Sequence, residues 1–247
     1  MGSPHFTDEA APRTPNFDGA LAKKRPLSAF ALLEGGDVFE SVGGKPPREG
    51  PARARAYAAS KLVFHLHGAG LELAERVRKD VTRLVEANLE LLSRLEVARP
   101  IDIELVPPGQ PLSRYGFPKS THPNAVGLFW DDPTWASARM ALRQEKLAEV
   151  PQLAVHEMAH AIHFLAFTRE ERDLIYRVLL RTYGAKSAVD EVFAIYTERE
   201  FLGRWTEHDK QAPGVYGMAR QRWSEDHVFT RFVRHLYYPD KPLAGGR

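Results

Sequence analysis

Apolar side chains return at helical spacing between residues 77 and 95, where Val77, Val81, Leu84, Val85, Leu91, Leu92 and Leu95 mark one face of a long amphipathic helix. Ahead of it, "KLVFHLHGAG" begins as a strand and ends in a glycine turn. Behind it, "PIDIELVPPG" alternates Ile101, Ile103 and Leu105 before prolines stop it, which predicts a second strand. A third strand is predicted in "NAVGLFWDDP" (124–133), closed by its Asp-Asp-Pro turn. From there the pattern is helical, over about 136–148, 151–167, 169–183, 187–202 and 219–238. Strand, helix, strand, strand and then helices predicts an α+β fold: a small mixed sheet with a backing helix faces a helical C-terminal half across a cleft. No internal repeat is present.

Residues 1–58 break this pattern. Stretches such as "GGKPPREGPARARAYAAS" are rich in Pro, Gly, Ala and Arg, a composition that buries little, so this segment is expected to be a flexible or loosely docked arm ahead of one domain over 59–247. Its apolar island "LSAFALLEGG" (27–36) is expected to pack on the domain or cover its cleft, and "AKKRP" reads as a solvated charge cluster. The 247-residue chain is 43% hydrophobic and 27% charged, ordinary values for a globular protein. A net charge of +2 implies no polyanionic partner, so no nucleic acid is expected. No apolar run approaches the ~20 residues of a membrane span. The opening "MGSPHFTDEAAPRTPNF" has no apolar signal segment, so the expectation is cytoplasmic residence or export without a signal. The oligomeric state is not indicated.

The chain has no cysteine, which excludes thiol nucleophiles and thiolate metal sites; a metal would need imidazole and carboxylate ligands. "AVHEMAHAIHFLAF" (154–167) offers them. Residues advance by about 100° along a helix, so His160 lies roughly 40° from His156 and one turn on. Both rings reach one ion from one face, and Glu157 projects beside them as a carboxylate that can take a proton from water at that ion. Burying two histidines and a glutamate on an apolar helix is costly, and zinc would compensate it. His163, one turn further, is expected to support or pack rather than ligate. The downstream glycine and third histidine of a metzincin are absent.

A catalytic zinc usually has three protein ligands. In "TYGAKSAVDEVFAIYTEREF" (182–201), Ser187 and Asp190 resemble a capping box, which places Glu191 near a helix N-terminus among apolar neighbours. Glu191 is the expected third ligand, with Asp190 and Glu198 as alternatives; Glu198 is expected to face solvent.

"HEMAHAIH" followed by "YG…DEVFA" resembles the gluzincin metallopeptidases, specifically the group around the anthrax lethal factor catalytic domain and the Pro-Pro endopeptidases. The resemblance covers about 154–201. It implies a zincin-like fold, one Zn2+ held by His156, His160 and Glu191, and Glu157 as general base. It also implies Tyr183 as the tyrosine that donates to the oxyanion, and a peptide or protein substrate cleaved internally. The chain departs from the family in three ways: Tyr183 lies eight residues before Glu191, Ile195 stands where the family often carries an acid, and the gap from His160 to Glu191 is short. Tyr196 and Tyr216 are therefore alternative donors.

Other features point to plainer roles. His65 and His67 in "FHLHG" are expected to be structural or surface residues, and Trp223, Phe229, Phe232, Tyr237 and Tyr238 a core stripe. "NAVGLFWDD" is either an ordinary strand or an edge that pairs with an extended peptide. A SprT-like DNA-associated protease would use a third histidine, from among "EHDK", "DHVF" and "RHLY", and a non-catalytic zinc-stabilised module would not need Glu157. The sequence names neither the substrate nor the cleaved bond.

Overall fold

The computed structural model describes residues 26–35, 48–119, 121, 125–150, 152–183, 189–205, 214–224 and 227–239. Its elements run α1 (Phe30–Leu33), α2 (Gly50–Lys61), β1 (Leu62–His65), α3 (Leu71–Val85), α4 (Leu89–Val97), β2 (Ile101–Val106), a 3-10 turn (Leu112–Tyr115), β3 (Gly127–Trp130), β4 (Ala138–Arg143), α5 (Gln144–Glu149), α6 (Leu153–Leu165), α7 (Arg169–Tyr183), α8 (Val189–Leu202), α9 (Val215–Arg222) and α10 (Val228–Tyr237). The fold is mixed α+β. Four strands in the order β1-β2-β4-β3 form one sheet, parallel through β1, β2 and β4, with β3 antiparallel at the edge beside β4.

Three expectations need correction. The helix expected over 136–148 is a strand, β4, followed by the short α5. Ala138, Met140, Ala141 and Leu142 are fully buried between β2 and β3, so burial on both sides outweighs the helix preference of Ala, Met and Leu. The long helix through 77–95 is two helices, because Asn88 caps α4, accepting from the Glu90 and Leu91 amides at 3.0 Å, and donates to Leu236 O at 2.7 Å. The helix expected over 219–238 is likewise split into α9 and α10.

The boundary expected near residue 58 marks no change of packing among the described residues. Leu27, Phe30, Ala54, Tyr57 and Ala58 belong to the main core, and the Phe30 ring lies 5.2 Å from Phe167 and 4.9 Å from Phe232. In α2, Ala54, Tyr57 and Ala58 fall at i, i+3 and i+4, so an alanine-rich stretch buries one stripe against α3 and α4. The Leu27 amide donates to Glu171 at 3.1 Å, and the same buried carboxylate takes two bonds from Arg94 (2.6 and 3.0 Å) and one from the Thr168 amide (2.8 Å). Satisfying a buried charge on all sides makes it a clamp rather than a liability. Residues 1–25, which include "AKKR", and 36–47 of the expected arm lie outside the described residues.

Of the C-terminal stripe, Phe229, Phe232 and Tyr237 are core as expected, while Trp223 and Tyr238 are half-buried against it. Helix α6 runs through the centre, packed against β3 and β4 on one side and α8 on the other. Phe129 of β3 stacks on Phe164 at 6.1 Å, which fixes the edge strand alongside the helix.

Because Phe30 bridges α6–α7 and α10, Phe30→Ala is expected to destabilise the protein by about 3–5 kcal/mol. Urea denaturation of the full chain measures this; an unchanged midpoint would show that the N-terminal segment is only loosely docked.

Candidate metal centre

Every described residue of α6 from Leu153 to Leu165 is buried except Phe164. Among them are His156, Glu157, His160 and His163, so an otherwise apolar helix carries four titratable groups out of water. Such groups stay only where something compensates them.

For two of them the partner is Glu191, in the first turn of α8. Its Oε2 lies 3.3 Å from His156 Nε2 and its Oε1 3.5 Å from His160 Nε2. The two ring Nε2 atoms face each other at 3.2 Å, and the ligand atoms of all three residues lie within 4.8 Å of one another. Two imidazole lone pairs at that separation repel unless a proton or a cation sits between them. The other nitrogen of His156, Nδ1, bonds to the Glu198 carboxylate, which leaves Nε2 directed at His160 and Glu191. That is the tautomer a metal ligand needs. The donor set of two imidazoles on the buried helix and one half-exposed carboxylate, free of sulfur, fits a zinc ion.

Burial alone would lower the His156 pKa, but the Glu198 and Glu191 carboxylates outweigh it and raise it well above the ordinary value. His160 is pushed down to about 4, chiefly by burial. Burial would raise Glu191, yet the hydrogen bond from His156 and the charges of His160 and His156 hold it down at about 2. The pocket thus holds Glu191 anionic and His160 neutral while His156 favours its protonated form, so a bound cation would replace that proton.

Glu157, next in sequence to His156, packs against the sheet edge. A methyl group at Gly127 would come within 2.4 Å of its Oε1 and 2.9 Å of its Cδ and Cγ, so this first residue of β3 is glycine because the carboxylate occupies the space. Burial pushes the Glu157 pKa up to about 8, with His156 and a Phe129 backbone hydrogen bond opposing and Glu191 and Glu198 adding to the rise. A carboxyl group poised near neutrality suits proton transfer.

The expected residues therefore divide. His156, His160 and Glu191 come together, and Glu157 lies beside them. Asp190 instead meets His163, Oδ1 to Nδ1 at 3.0 Å, and the His163 ring packs among Phe164, Phe167 and Phe193. Tyr183 turns to Tyr196, hydroxyl to hydroxyl at 2.5 Å. Glu198 is not solvent-facing: it is 2% exposed. Seven residues on a helix turn through about 700°, nearly two full turns, so Glu198 shares the Glu191 face. Tyr216 on α9, one of the alternative donors, gives its hydroxyl proton to Glu198 Oε1 at 2.9 Å and stacks along His156 at 6.4 Å. The heptad spacing of Glu191 and Glu198 was readable in the sequence; the arrival of Tyr216 from another helix was not. His65 and His67 pair with Asp102 (3.2 Å) and Glu104 (2.5 Å) of the neighbouring strand. His227 caps α10, accepting from the Phe229 amide at 3.2 Å. His208, Pro151 and Ser187 lie outside the described residues.

No protein-family model matches the chain, and neither the curated proteins nor the solved structures contain a match.

Glu191→Ala is expected to abolish stoichiometric zinc binding, and Glu198→Ala to weaken it by about 10–100-fold through loss of ring orientation. Asp190→Ala is expected to retain the ion. Competition against a chromophoric chelator ranks the three; full zinc affinity in Glu191→Ala overturns the ligand assignment.

Proposed function

We propose that the protein is a zinc-dependent endopeptidase of zincin-like architecture. His156, His160 and Glu191 would hold the ion, which when bound polarises the scissile carbonyl and acidifies water. What carries this reading is the Glu157 carboxylate, buried against Gly127 at the edge of the sheet and within electrostatic reach of His156 and Glu191. A purely structural metal site has no use for a carboxyl group kept there.

In this reading Glu157 accepts a proton from the attacking water and passes it to the departing amine nitrogen. Its raised proton affinity suits the second half of that transfer, and a cation held by the neighbouring ligands would lower it toward the ionised form the first half needs. Glu198 holds His156 by Nδ1, and Tyr216 holds Glu198, so the ring keeps its orientation while charge changes beside it. The outer edge of β3 offers backbone groups to an extended peptide, which would lay its scissile bond along α6. Tyr183 enters through the resemblance to gluzincins, as donor to the developing oxyanion.

Glu157→Gln keeps the shape of the side chain and removes the base. The expected result is retained zinc, an unchanged melting temperature and a loss of peptide hydrolysis of about 10²-fold or more. Turnover equal to the parent protein would refute the mechanism.

For Tyr183→Phe the expectation is a fall in kcat of about 10²-fold with KM little changed, the signature of a donor used only in the transition state. Equal kcat in the two proteins would transfer the role to another tyrosine or remove it.

A further inference from the structure

A cavity of about 800 Å³ opens immediately beyond the start of β3. Val126, the residue before Gly127, is part of its wall, and the Arg143 amide donates to Val126 O at 3.1 Å, so the cavity continues the sheet edge. Its charged lining residues are Lys119, Arg143 and Lys146 against Glu145 alone. Arg143 is held in place by its bonds to Ala125 O (2.8 Å) and Gln110 O (3.1 Å), a rigid guanidinium in the wall. Lys146 pairs with Glu149 at 2.5 Å on an exposed helix face, an interaction weak enough to be exchanged for a ligand carboxylate.

Resting on the endopeptidase reading, we propose that this cavity is a substrate subsite selecting an acidic side chain at a fixed position on one side of the scissile bond. An extended chain along β3 advances about 3.3 Å per residue. A peptide with its reactive carbonyl beside Glu157 therefore reaches Val126 within one or two residues, and its next side chains meet the cavity mouth. Three cations against Glu145 and the Lys146-paired Glu149 leave the cavity net positive, which favours Asp or Glu over their amides and disfavours Lys and Arg. This assigns the protein a substrate class, acidic peptides, and gives Lys146 and Lys119 the role of specificity determinants outside the catalytic group.

The test uses the full chain supplied with zinc and an unbiased peptide mixture, with cleaved bonds read by mass spectrometry. Paired peptides carrying Glu or Gln at the selected position follow. The expected result is a Glu preference of about tenfold in kcat/KM, shrinking as salt is raised. Lys146→Glu and, independently, Lys119→Glu should erase the preference or invert it toward Lys. Fluorescence anisotropy of the same labelled peptides with Glu157→Gln should give the same ranking in Kd. Cleavage with no acidic bias, or a bias that neither charge reversal changes, overturns the subsite and leaves the endopeptidase standing. No cleavage together with a Lys146-dependent preference for the Glu peptide in binding refutes the endopeptidase reading but supports an acid-selecting cavity. No cleavage and no binding preference overturns both.

Discussion

The structure turns on one constraint: α6 is buried from end to end, yet it carries His156, Glu157, His160 and His163. Each of these groups must find a partner within the protein, and the elements around the helix are arranged to supply them. Helix α8 brings Glu191 to the two histidine Nε2 atoms, Glu198 to His156 Nδ1, and Asp190 to His163. The sheet edge brings Gly127 and the Phe129 backbone to Glu157. Removing α8 would leave the central helix with uncompensated polar groups, so site and fold share the same contacts.

That dependence reaches outward through a second buried ion pair. Glu171, at the start of α7, ties Arg94 of α4 to the Leu27 amide, and so joins the N-terminal segment to both halves of the molecule. Phe30 inserts between Phe167 and Phe232 just above it. The central helix is therefore fixed at its far end by an apolar cluster and along its length by α8. Rigid support of this kind lets ligand atoms hold separations of 3–4 Å without a wide spread of geometries.

How far the sequence could be read follows from where the signal is local. The central helix expected at 151–167 is Leu153–Leu165, an unbroken apolar run, and the helix expected at 169–183 matches its bounds because it is amphipathic and its connection is short. His156, His160 and Glu191 were legible since two sit one turn apart and the third begins an acid-led helix. β4 was not legible: "ARMALR" has the composition of a helix, and only its position between β2 and β3 makes it a strand. The Glu171 clamp and the approach of Tyr216 to Glu198 join residues distant in sequence, which no local pattern encodes. Glu198 was misjudged for a different reason, its rotation about the helix, which the heptad spacing itself would have corrected.

In the proposed centre, two imidazoles and one carboxylate bind a single zinc ion. Zinc X-ray absorption on the protein loaded with one equivalent tests it most directly. The account predicts one tightly held ion with two histidine nitrogens at about 2.0–2.1 Å and light oxygen donors completing the shell. Three imidazole ligands, or zinc that washes out under mild chelation, would contradict it.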